Sequence, residues 1–187
     1  AEAVRSGGIP AAAAALQAGD YRGCLAALPA DALTPGEALV AGWCLLNQSR
    51  PTEAAARFQT GLASSTAAQR RDAHYGLALA RLQLGETAKV AASIADGALP
   101  EAAGRTLRAD VIARWTSRAF EDGRFGEAIR LARLIPERRG AQMLRGWALV
   151  RQGRPAAALA LFQRLDAVLS TPETREALSI IERRLGG

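Results

Sequence analysis

The sequence predicts an all-α protein built from about five helical hairpins in tandem and closed by one further helix. Three observations predict it. Ala, Leu, Arg, Glu and Gln dominate the 187 residues, only 5% are aromatic, and β-branched residues are sparse, a composition that favours helix over sheet. Residues 42–59, GWCLLNQSRPTEAAARFQ, lie over residues 146–163, GWALVRQGRPAAALALFQ, with Gly, Trp, Leu, Gln, Arg, Pro, two Ala, Phe and Gln coinciding. The turn positions Gly19, Ser49, Gly85, Gly123 and Gly153 mark five units whose spacing scatters around about 34 residues, the length of one short helical hairpin.

Each element follows from the same pattern. Weaker copies of the unit appear at 16–28 (LQAGDYRGCLAAL), 75–94 (YGLALARLQLGETAKVAASI) and 115–134 (WTSRAFEDGRFGEAIRLARL). Repeats are therefore expected at about 9–30, 35–64, 68–98, 102–136 and 137–169 within one domain covering 1–187. Residues 11–18 form the first helix, expected to fray because no repeat precedes it. Gly at the end of the first helix of a hairpin takes the left-handed conformation that stops it, and Pro51 or Pro155 then presets φ for the second. Gly42, Ala54, Gly146 and Ala158 are small enough to let two helices approach, and Phe58 and Phe162 fill the space between one hairpin and the next. Pro29, Pro35, Pro100 and Pro136 fall at joints, where proline breaks no helical hydrogen bond. Thr171-Pro172-Glu173-Thr174 opens a capping helix over 171–185, with Ile180, Ile181 and Leu185 as its apolar face.

These residues resemble the tetratricopeptide repeat family. In that family helix A carries a small residue midway, a Gly-x-Tyr/Phe/Pro turn follows, and helix B carries Ala and then Phe four residues later. The second repeat matches with Gly42, Pro51, Ala54 and Phe58. The fourth matches with Gly123, Phe125, Ala128 and Ile129, and the fifth with Gly146, Gly153, Pro155, Ala158 and Phe162. The first and third are degenerate, with Cys24 and Val90 at the small site of helix B. The resemblance covers nearly the whole chain and implies an α-solenoid, a right-handed superhelix that serves as a non-enzymatic protein-interaction scaffold.

Nothing in the sequence builds a catalytic centre. His74 is the only histidine, and it reads as a packed or solvent-edge residue beside Tyr75. There is no Gly-rich phosphate loop, no metal-spaced cluster and no nucleophile elbow, so no cofactor or metal is expected. Cys24 and Cys44 are not a CxxC pair and read as buried thiols; their apolar positions in successive helices leave a disulfide open. No apolar run approaches the roughly 18 residues of a membrane span. The start at Ala1 and the end at Gly186-Gly187 suggest a processed protein or an excised segment.

The resemblance implies a partner-binding groove lined by the A helices. The positions carried over include Trp43, Asn47, Tyr75, Gln83, Glu121, Met143, Trp147 and Arg151. Trp43 and Trp147 either anchor a peptide or sugar there or pack against the neighbouring helix; Trp115 is expected in the core. The net charge is +6, and Lys89 is the only lysine, an arginine bias that a GC-rich bacterial genome produces without any function. The charge is uneven, with twelve arginines against five acids between Arg105 and Arg154. A basic patch of Arg105, Arg108, Arg114, Arg118, Arg138, Arg139 and Arg145 is expected to attract an acidic protein partner or an anionic polymer.

Three functions compete at this level. The Ala- and Arg-rich repeats resemble the periplasmic scaffold segments of bacterial cellulose, poly-N-acetylglucosamine and Pel systems, which implies a role in exopolysaccharide synthesis and secretion with possible polysaccharide contact. A cytoplasmic adaptor for a peptide or acidic protein is the alternative. Chaperone-binding members grip a terminal carboxylate with lysines and asparagines on helix A; Asn47 and Lys89 are the only residues of those types here, and Lys89 follows the third turn, on helix B, so that clamp is absent. Nucleic acid ranks last, because the arginine-rich stretch lacks a track of interleaved aromatics.

Overall fold

The computed structural model describes residues 8–30, 32–64 and 66–186. Among them are eleven α-helices and no strand: α1 (Gly8–Gln17), α2 (Tyr21–Ala26), α3 (Pro35–Asn47), α4 (Pro51–Gly61), α5 (Ala67–Gln83), α6 (Thr87–Ala95), α7 (Glu101–Glu121), α8 (Phe125–Arg133), α9 (Arg139–Arg151), α10 (Pro155–Val168) and α11 (Pro172–Gly186). Odd-numbered helices up to α9 are the A helices of five hairpins, even-numbered ones the B helices, and α11 is the expected capping helix.

One device ends every A helix. Gly19, Ser49, Gly85, Gly123 and Gly153 all have φ between 58° and 77°, the left-handed region. The residue after each donates its N–H five residues back, as in Asp20 to Ala15, Arg50 to Leu45, Glu86 to Arg81, Arg124 to Ala119 and Arg154 to Leu149, at 2.8–3.0 Å. That bond satisfies one of the carbonyls the helix end would otherwise leave open as the chain reverses into helix B. At the other end of a hairpin, Thr34 caps α3 in a reciprocal box with Glu37, each accepting the other's backbone N–H.

The chain divides into two compact units, Ala1–Arg108 and Ala109–Gly187, with the break inside α7. In the first, Phe58 is fully buried on α4 and pressed against α3 and α5. A Cβ built on Gly42 would lie 2.8 Å from its ring and one on Gly76 only 2.3 Å, which is why both helices carry glycine there. Ala54 is likewise buried beside it. A second cluster joins Ala12, Leu28 and Ala41 around a disulfide between Cys24 on α2 and Cys44 on α3. Of the two states the sequence left open for these cysteines, the structure has the bond.

In the second unit Phe162 and Ala158 of α10 are fully buried, and a Cβ on Gly146 would come within 2.5 Å of the Phe162 ring. Ala177 and Ile181 of α11 complete that core. A smaller cluster holds Ala132, Ile135 and Ala141. Beside it buried Gln142 donates Nε2 to the Ala132 and Ile135 carbonyls at 2.6 and 3.2 Å. One expectation is corrected here: Trp115 is 38% exposed, and its neighbour Thr116 is the fully buried residue. A single residue turns a helix by about 100°, enough to exchange the inward position between neighbours. Thr116 is accommodated because its hydroxyl donates to the Ile112 carbonyl at 2.8 Å.

Candidate partner-binding surface

In the first unit the A helices bring an indole, a phenol and a carboxylate together. Trp43 on α3 is half-buried, its ring edge-on to Phe58 beneath it at 5.1 Å and tilted against Tyr75 of α5 at 6.0 Å. Its Nε1–H donates to Asp72 Oδ2 at 3.0 Å. Asp72 precedes Tyr75 by three residues, so helical spacing places both on one face of α5. The indole is therefore fixed at its apolar side by packing and at its polar tip by a carboxylate. It is held rather than free to rotate, yet it is not enclosed.

Beside this trio a cleft of about 560 Å³ opens between α5 and the first turns of α7. Ala68, Pro100 and Ala103 give it apolar walls, while Arg71, Asp72, Tyr75 and Thr106 supply polar groups of both signs. Such a mixture suits a polypeptide segment, which offers backbone donors and acceptors together with apolar side chains. Asn47 is exposed one turn beyond Trp43 and donates Nδ2 to the Trp43 carbonyl at 2.9 Å. Gln83 is exposed at the end of α5, two turns from Tyr75.

In the second unit Met143, Trp147 and Arg151 recur every four residues along α9, a stripe on one face. Trp147 packs on Phe162 at 5.4 Å and stays half-buried, as Met143 does. The Arg151 guanidinium lies over the Phe125 ring at 5.8 Å, and Phe125 meets Phe120 edge-on at 5.5 Å. Glu121 is exposed at the end of α7.

The arginines of the expected basic patch have varied surroundings. Arg105 pairs with Glu101, Arg118 with Asp122 at 3.5 Å and Arg138 with Asp110 at 2.6 Å. Arg139 donates to the carbonyls of Leu165 and Leu169 at 2.8 and 2.7 Å, closing the end of α10. Arg108 and Arg114 are exposed, and Arg145 is half-buried. Arg124 hydrogen-bonds Asp122, and that bond holds the Asp122 carboxyl below its usual range. Much of the local excess of arginine is thus answered by nearby acids and carbonyls.

Asp72, Arg71 and Thr106 were not among the residues singled out from the sequence. For Asp72 a signal existed, since it shares a helix face with Tyr75; the Trp43 contact, 29 residues away, needed the fold. Among the described residues no helix is long and apolar enough to cross a membrane, and no group of three His, Cys, Asp or Glu is placed to hold a metal.

Compared with known families, the chain matches the family model described as tetratricopeptide repeat over residues 39–106 and 111–168. No curated protein and no solved structure matches it.

Proposed function

The chain belongs to the tetratricopeptide repeat family, and from that premise we propose that it is a non-enzymatic scaffold that holds an extended protein segment against α3, α5 and the start of α7. The observation that carries this reading is the fixed, half-exposed Trp43 beside Tyr75 and the mixed cleft at Asp72. A rigid aromatic anchor next to polar groups binds a peptide at low entropic cost. The test uses peptides selected from a random display library on the purified chain. Tyr75→Ala should weaken the selected peptides about tenfold or more, the effect of losing an aromatic anchor. Selected peptides that bind the variant unchanged would refute the site.

Within this reading the scaffold works in the periplasm, in bacterial exopolysaccharide synthesis and export. Support for the compartment comes from the Cys24–Cys44 disulfide, because such bonds persist where the environment is oxidising. The cytoplasmic adaptor is the competing reading, and it requires reduced thiols. Alkylation trapping in cells separates the two: protected cysteines until reductant is added support the periplasm, and cysteines modified at once support the cytoplasm. Soluble glucan and poly-N-acetylglucosamine oligomers tested on the purified chain address the polysaccharide contact directly.

A further inference from the structure

The carboxylate of Asp72 is held on the wall of the cleft between α5 and the first turns of α7. It is half-buried, and its Oδ2 accepts the Trp43 Nε1–H at 3.0 Å. Among the described residues it accepts no other hydrogen bond, and no cation stands within ion-pair distance of it. A neutral indole N–H answers a half-buried negative charge only in part. Arg71 lines the same cleft, but neighbouring residues of a helix point about 100° apart and do not face each other. Its side chain is exposed and screened by water, whereas Asp72 is half-buried and fixed by the indole.

The other walls match one kind of side chain. Tyr75 also lines the cleft, three residues from Asp72 on the same face of α5, and its ring is tilted against Trp43 at 6.0 Å. Ala68, Pro100 and Ala103 add an apolar lining, and a volume of about 560 Å³ admits a long side chain with the backbone that carries it. A side chain with an aliphatic stem and a cationic head uses all three. The stem lies along the apolar wall, the head reaches the carboxylate, and the aromatic ring attracts the same charge. An acidic side chain would be repelled by the carboxylate.

We propose that the cleft selects a basic side chain of the partner segment, arginine or lysine, with Asp72 as its counter-ion and Tyr75 beside it. This rests on the peptide-binding reading of the surface and names the residue that the surface selects. It runs against the net charge of the whole chain, +6, which favours acidic partners at long range. At contact the fixed carboxylate decides, because solvated charges more than a screening length away have little effect.

The test follows the Trp43 indole N–H signal of the ¹⁵N-labelled full chain by NMR, assigned by its loss in Trp43→Phe. The probes are arginine, lysine, glutamine and glutamate, each blocked as the N-acetyl N-methylamide, at fixed ionic strength balanced with sodium chloride. A saturable shift with arginine or lysine, and none with glutamine or glutamate, is expected. Asp72→Asn keeps an oxygen for the indole N–H but removes the charge. It should weaken the cationic response about tenfold or more, with the fold checked by circular dichroism. Arg71→Gln should not weaken it. In display-selected peptides, exchanging the basic residue for glutamine should weaken binding to the native chain about tenfold and change binding to Asp72→Asn little. Responses that are linear for all four probes, or a cationic response undiminished in Asp72→Asn, overturn the proposal. So does a saturable glutamate response that Arg71→Gln abolishes. Selected peptides that need Tyr75 but tolerate both the glutamine exchange and Asp72→Asn overturn it too and leave the peptide surface standing. Peptides indifferent to Tyr75→Ala refute that surface, and the blocked amino acids then decide the cleft alone.

Discussion

The ring of Phe58 occupies the space that a side chain on Gly76 would need, with 2.3 Å between the ring and the position of a Cβ there. Gly76 belongs to the next hairpin, so one phenyl ring sets the approach of α4 to α5. Gly76→Ala forces the two helices apart and should destabilise the chain by about 1–3 kcal/mol, the usual consequence of overpacking a dense core. Phe58→Ala empties the same place and should cost about 3–5 kcal/mol. Urea unfolding of both variants checks the pair. A neutral Gly76→Ala would mean that α5 has room to move and that the close approach is not required.

Ser49 is the one left-handed turn among the five that lacks glycine, with φ at 58°. A side chain in that region costs about 1–2 kcal/mol, partly offset by the greater freedom of glycine in the unfolded chain. Ser49→Gly should therefore stabilise by about 0.5–1 kcal/mol, and Gly153→Ser should destabilise by a similar amount. Thermal melts of the two variants should move in opposite directions. Movement in the same direction would show that backbone conformation does not control these turns.

The disulfide closes a loop with a sequence separation of 20 between α2 and α3. Restricting the unfolded chain over that length contributes about 3 kcal/mol. Reductant should lower the melting temperature of the native chain and leave that of a Cys24→Ala, Cys44→Ala double variant unchanged. Equal melting of the native chain with and without reductant would show that the link adds nothing.

The Trp43–Asp72 hydrogen bond is expected to show as coupling. In a cycle of Trp43→Phe, Asp72→Ala and the double variant, the interaction should amount to about 1 kcal/mol of stability. Additive losses would show that the indole is positioned by packing on Phe58 alone.

The sequence made legible whatever a backbone or a volume constraint requires. Left-handed turns need glycine or a small polar residue, and all five turn positions could be read from that. Two helices in close contact need glycine opposite a large ring, and Gly42 with Phe58 and Gly146 with Phe162 could be read from that. What depends on phase or on long-range pairing could not be read. Trp115 was expected inside because one residue of helical phase separates it from Thr116. Cys24 and Cys44 carry no spacing signature, so they read as buried thiols with a disulfide only left open, until the helices were placed. Counting arginines gave an excess of charge between Arg105 and Arg154 but not its partition. Only side-chain geometry separates Arg138, paired with Asp110, from Arg145, which has no acid.

The most direct measurement is the hydrogen-exchange footprint of a display-selected peptide bound to the native chain. Binding at the Trp43–Tyr75 surface predicts slowed exchange in α3, α5 and the first turns of α7, with α4 and α6 unchanged. Protection confined to α4 and α6, or absent from the first unit, would contradict the proposal that the A helices hold the partner.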